Sequence, residues 1–127
     1  MNAGLPIFQI SSDRNDCCVT LSLMGELDGA SAESLDSHVD IFRQQSISHL
    51  LIDCAALDFI DSGGLHALIR AHHAFEGRVA LFALQKSAKQ LFEITGLEQV
   101  FLDFDSIEGA REHLHIGHQE VNPRVPA

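Results

Sequence analysis

Tryptophan and tyrosine are both absent from the 127 residues, leaving eight phenylalanines as the whole aromatic content. That absence removes the polar-tipped rings on which proteins commonly stack bases and sugars. Basic residues are scarce as well: 8 Lys and Arg stand against 18 Asp and Glu, a formal net charge of −10. A phosphate backbone attracts concentrated positive charge, and here the Lys and Arg residues are scattered, so direct nucleic-acid binding is not expected. The acidic balance suits solubility and a basic protein partner. Cysteine is limited to Cys17, Cys18 and Cys54, an odd number with no C-x-x-C pair. Neither a disulfide framework nor a zinc site is expected from them; buried thiols in strands are. The start, MNAGLPIFQISSD, has no basic n-region, and no window approaches the ~18 apolar residues of a membrane span. The expectation is a soluble cytoplasmic protein without a membrane span.

What is present is ordinary for a globular chain, 46% hydrophobic and 20% charged. Its length suits one domain with a single core: residues 1–127, with a core over about 6–115 and a frayed tail over 116–127. Pro6 to Ile10 reads as a strand, and the polar Ser11 to Asp16 as a turn. Cys17 to Met24 alternates Cys, Val, Leu, Leu with Cys, Thr, Ser, Met, a strand with one buried face. Gly25 to Ala30 breaks the pattern. Ser31 then reads as the N-cap of a helix with Ala32, Leu35, Val39 and Phe42 on one face, ending near Gln45. His49 to Cys54 and Val79 to Leu84 are apolar runs of the kind buried on both faces of a sheet. A second helix follows Asp61 and runs to about Ala74. Ser87 reads as the cap of a third, which Gly96 stops. Val100 to Phe104 gives a last strand and Ser106 to His115 a last helix. Hairpin first, then alternating strand and helix, predicts an α/β domain: a mixed sheet, its later strands parallel, flanked by about four helices.

The stretch Phe59 to Leu68, FIDSGGLHAL, carries the chemistry. Asp61 or Ser62 fits an N-cap, and helix N-termini stabilise anions through unpaired N–H groups and the helix dipole. Gly63 and Gly64 permit a tight turn that leaves the hydroxyl uncovered. An acid, a serine and paired glycines exceed what capping requires and suggest that something bulky must reach Ser62. A nucleophile elbow is excluded, because Ile60 stands at the first glycine of G-x-S-x-G and His66 is one turn along the same helix, poorly placed to reach back. A P-loop is excluded by the absence of G-x-x-x-x-G-K-[ST]. A cap and an accessible, modifiable serine remain.

Three blocks, MGELDGASAESL (Met24 to Leu35), HLLIDCAALDFIDSGGLHALI (His49 to Ile69) and SAKQLFEITGLEQVF (Ser87 to Phe101), together resemble the STAS domain of bacterial anti-sigma factor antagonists. The resemblance spans roughly Ile7 to Leu114, with the blocks in family order and spacing. It implies a mixed sheet flanked by helices. It implies a binding protein, not an enzyme, needing no cofactor. It places the phosphorylation site on Ser62, with Asp61 before it and Asp28 of the G-E-L-D block nearby; Asp28, Asp61, Ser62, Gly63, Gly64 and Leu65 form the switch surface. Many relatives carry a second Ser or Thr where this chain has Gly63, which leaves Ser62 the single hydroxyl of the turn. The implied partners are an anti-sigma factor with serine kinase activity, bound by the unphosphorylated form so that a sigma factor is released, and a phosphatase that reverses the modification. The alternative is a STAS subunit of another assembly, a lipid-transport complex or a stress-signalling scaffold, docking through the same helix surface.

The eight histidines invite a metal reading, above all His72, His73, His113, His115 and His118, but no carboxylate or Cys completes a zinc spacing. No metal site is expected. Asp53 and Asp58 flank Cys54 and read as solvated loop acids.

Overall fold

The computed structural model describes residues 8–101 and 103–114. Five strands form one sheet in the order of the chain: β1 (Gln9–Asn15), β2 (Cys18–Leu27), β3 (His49–Ile60), β4 (Val79–Phe82) and β5 (Asp103–Phe104). Strands β1 and β2 are antiparallel and all later pairs are parallel. The expected α/β architecture holds, with four helices among the described residues: α1 (Ala32–Gln44), α2 (Ser62–Ala74), α3 (Lys86–Thr95) and α4 (Ile107–Leu114).

The alternation read in β2 sorts its side chains. Val19, Leu21, Leu23 and Leu27 point into the main core, where they meet Leu50, Ile52, Cys54, Leu57 and Ile60 of β3. Helices α1, α2 and α3 close this core with Leu35, Val39, Leu65, Leu68, Ala88 and Phe92. Each fully buried Leu or Phe removes enough apolar surface from water to stabilise the fold by about 1.5–3 kcal/mol. On the opposite face α4 covers a smaller cluster, Cys18, Leu51, Ala80 and Phe82 packed around Ala110. Helices α1 and α2 are tied at the surface by Arg70, whose Nε and Nη2 reach Asp36 Oδ1 and Oδ2 at 3.1 and 2.9 Å.

Several boundaries differ from the sequence reading. Strand β1 occupies Ser11 to Asn15, expected to be a turn, and its seven residues pair in unbroken register with β2; of the strand expected at Pro6 to Ile10, Pro6 and Ile7 lie outside the described residues. The hairpin turn shrinks to Asp16 and Cys17, with Asp16 at φ 58°. Gly25 to Leu27 does not break β2; it continues it through two register shifts, between Ser22 and Met24 and between Gly25 and Glu26. Strand β3 likewise runs on past Cys54 to Ile60. Asp53 and Asp58 are therefore strand residues, not loop acids, and Asp53 accepts hydrogen bonds from the Ala55 N–H (3.0 Å) and the Ser22 hydroxyl (3.4 Å). Ser31 stands at the N-cap position of α1 but makes no capping bond. Ser87 lies inside α3, whose N-cap is Gln85. Gly96 does end α3, at φ 78°. After it comes a 3-10 turn over Leu97–Gln99, so the last strand shortens to Asp103–Phe104. His115 and the tail 116–127 lie outside the described residues.

Candidate functional site

The sheet's parallel strands deliver two chain segments to one end: the exit of β2, Leu27 to Gly29, and the exit of β3, Ile60 to Gly64. They meet backbone to backbone. The Asp61 N–H donates to the Leu27 carbonyl at 3.2 Å. A Cβ on Gly63 would stand 2.7 Å from the Gly29 Cα, and a Cβ on Gly64 would run into the Leu27 carbonyl. Two glycines are needed here for close approach, since any side chain would force the segments apart.

Asp61 caps α2. Its backbone is extended, and Oδ1 accepts the Gly64 N–H at 3.0 Å, satisfying one of the unpaired donors of the helix start. Between the two expected cap candidates the structure selects the acid. Ser62 is the first residue of the helix and is exposed. Among the described residues its hydroxyl takes part in no hydrogen bond. Leu65 turns inward and is buried, so of the six expected surface residues it anchors the helix from below.

Asp28 lies in the β2–α1 turn and is locked to Ser31. Oδ1 of Asp28 accepts the Ser31 N–H at 2.9 Å, while the Ser31 hydroxyl accepts the Asp28 N–H at 2.9 Å and donates to the Glu26 carbonyl at 2.8 Å. The Ser31 N–H, and after it the Ser31 hydroxyl, hold the Asp28 carboxyl below the usual carboxylate range. The residue after Asp28 is the Gly29 that touches Gly63. Asp28 thus reaches the serine turn through its neighbour's backbone.

Residues 9–110 match the STAS domain family. The chain belongs to that family. It is 28% identical over 112 residues to the anti-sigma-B factor antagonist of Listeria monocytogenes, covering 86% of this chain and 94% of that protein. The fold is similar to that of an anti-sigma factor antagonist from Mycobacterium paratuberculosis, with a TM-score of 0.77 and 21% identity over 87% of this chain and 96% of that one. It is also similar to the Bacillus cell fate determinant SpoIIAA in its phosphorylated form, with a TM-score of 0.64 and 22% identity over 85% of this chain and 99% of that one.

In this STAS domain Ser62 borders an open cleft of about 240 Å³ lined by Leu65, His66, Ile69, Thr95 and Leu97. The cleft joins α2 to the end of α3, where Ile94 is 82% exposed. His66 shares this lining with Ser62, and no hydrogen bond joins the two. The sequence reading did not find the cleft. Its far wall comes from Thr95 and Leu97 within the third quoted block, and only tertiary packing brings that wall to Ser62.

The remaining titratable residues of the STAS domain are dispersed. Among the described residues no three His, Cys, Asp or Glu side chains come together as metal ligands; His115 and His118 lie outside them. The His72 ring packs edge-on against Phe101 at 5.2 Å between centroids. Cys18 and Cys54 are buried as expected, but Cys17 is exposed in the hairpin turn. Among the described residues no helix is long and apolar enough to cross a membrane.

Proposed function

We propose that this STAS domain is an anti-sigma factor antagonist switched by phosphorylation of Ser62. The unphosphorylated form binds an anti-sigma factor with serine kinase activity, freeing a sigma factor; phosphorylation ends the contact, and a phosphatase restores it. The observation that carries this reading is the exposed Ser62 hydroxyl at the first position of α2, without a hydrogen bond among the described residues, with the adjacent acid already used as cap. The similarity to antagonists over most of the chain supports it.

Phosphorylation adds about −1.5 to −2 charges at pH 7. The phosphate would sit on the helix N-terminus, where the dipole offsets part of that charge, and next to the Asp61 carboxylate, which opposes it. The domain itself bears this because the group projects into water. A partner seated over Ser62 and the adjoining cleft would bury the new charge, and uncompensated burial weakens binding by several orders of magnitude.

The test compares affinity for the cognate anti-sigma factor among wild type, Ser62→Ala and Ser62→Asp. Ser62→Ala is expected to bind constitutively and Ser62→Asp at least about tenfold more weakly, a difference of about 1.4 kcal/mol. Label from ATP is expected on Ser62 alone. Equal binding by both variants, or label on another residue, overturns the switch.

A further inference from the structure

Among the described residues a helix covers only half of the sheet face opposite the main core. Helix α4 seats on its lower half, over Cys18, Leu51, Ala80 and Phe82. Beyond it the strands continue, and no helix among the described residues lies upon them. There Met24 pairs in register with Ala56, and Glu26 with Phe59. Met24 is 50% exposed and Phe59 49%. Two of the largest exposed apolar side chains of the domain thus sit on adjacent strands of one open surface.

The charge around them is of one sign. On this face β1 contributes Gln9, Ser11 and Asp13, which pair with Met24, Ser22 and Thr20. Glu26 of β2 and Asp53 of β3 border the open half, Asp13 stands lower on the edge strand, level with Leu51, and the strands present no Lys or Arg on this face. We propose that this half-face docks a basic amphipathic helix of a partner protein. Its apolar side chains rest on Met24, Ala56 and Phe59, and its Lys or Arg residues meet Glu26 and Asp53. The patch adjoins the Ser62 turn along the chain, since Glu26 and Phe59 directly precede Leu27 and Ile60, but it lies on the sheet face away from α1, α2 and α3.

Two observations select this occupant. Helix α4 already shows that the twist of this face accepts a helix with a small residue, Ala110, at its centre. A second copy is disfavoured, because a two-fold contact sets identical patches face to face. The acidic border of one copy would then face the equally acidic border of the other, in a chain of net charge −10. A basic helix removes that repulsion and covers the apolar centre in one step, and the flexible Met24 side chain adapts to the groove it meets.

The experiment titrates the ¹⁵N-labelled full chain with a synthetic amphipathic helical peptide carrying Leu on one face and Arg along both borders. A second peptide has Glu in place of every Arg. The expected result is amide shifts centred on Met24, Ala56 and Phe59 with the basic peptide, and none with the acidic one. The Met24→Ser/Phe59→Ser double variant, shown to be folded by circular dichroism, is expected to bind at least about tenfold more weakly. Shifts centred on the Ser62 cleft, undiminished binding by the double variant, or no binding overturns the proposal. Concentration-dependent self-association mapped to this face overturns it in favour of a second copy.

Discussion

Gly29 and Gly63 are in backbone contact: the space a Gly63 side chain would need is filled by the Gly29 Cα, 2.7 Å from an ideal Cβ. The contact is asymmetric. A Cβ on Gly29 meets nothing within 4 Å, so the two glycines that touch are not equally constrained.

A graded series follows from that asymmetry. Gly63→Ala and Gly64→Ala each gain helix propensity of up to about 1 kcal/mol, but both collide with backbone that cannot swing aside. Overpacking of this kind costs about 1–3 kcal/mol, so the collision wins. Urea denaturation is expected to show Gly64→Ala as the least stable, Gly63→Ala intermediate, and Gly29→Ala close to wild type. A Gly63→Ala variant as stable as Gly29→Ala would show that the two strand exits separate freely.

Removing the Asp61 cap tests the same turn from another side. Asp61→Ala leaves the Gly64 N–H without its acceptor and is expected to lower stability by about 1 kcal/mol. Asp61→Ser restores an acceptor oxygen at the cap and is expected to recover most of the loss. Equal destabilisation by both, read from denaturation midpoints, would mean that the carboxylate acts through its charge rather than as a cap.

The strand–helix order and the cap were legible because they depend on local chemistry. Apolar runs, alternation in β2 and an acid ahead of α2 are features of neighbouring residues. The errors fall where partners distant in sequence decide. Gln9 to Asn15 is polar enough to read as a turn, yet seven residues of pairing with β2 make it an edge strand. Ala55 to Ile60 lacks clean alternation because the register with β2 shifts twice, which hides the second half of β3. Ser87 is a good cap by type, but Gln85 holds the cap position and its Nε2 donates to the Ala55 carbonyl on β3 at 3.1 Å. The six expected site residues are adjacent to the observed turn for the reasons given, whereas Ile69, Thr95 and Leu97 join Ser62 only through the packing of α2 beside α3.

Two histidines make stability depend on pH. Burial, and secondarily Arg78, lowers the pKa of His49; burial, and secondarily His73, lowers that of His72. Each binds its proton more weakly when folded, so the unfolded chain takes up more protons as pH falls below about 6.5. Stability is therefore full above that pH and declines below it, down through the folded pKa values. The denaturation midpoint is expected to drop between pH 7.5 and 5, and the double variant His49→Gln/His72→Gln to flatten that drop. An unchanged slope in the double variant would assign the dependence to other groups.

The cysteines give the last test, because their three environments differ. Cys17 is exposed in the hairpin turn. Burial pushes the Cys18 thiol up to about 11, against a smaller opposing effect of Arg111. Cys54 is fully enclosed in the main core, and burial, with Asp53 adding to it, raises its thiol further. Thiolate is the reactive species, so the two enclosed residues are protected twice, by access and by protonation. A thiol reagent at pH 8 is expected to modify one residue quickly in the native chain and all three in denaturant. In Cys17→Ser the fast phase should vanish, and the slow modification that remains should proceed at the rate at which the sheet opens. Fast labelling of Cys54 in the native chain would mean that β3 separates from its helices far more readily than a continuous core allows.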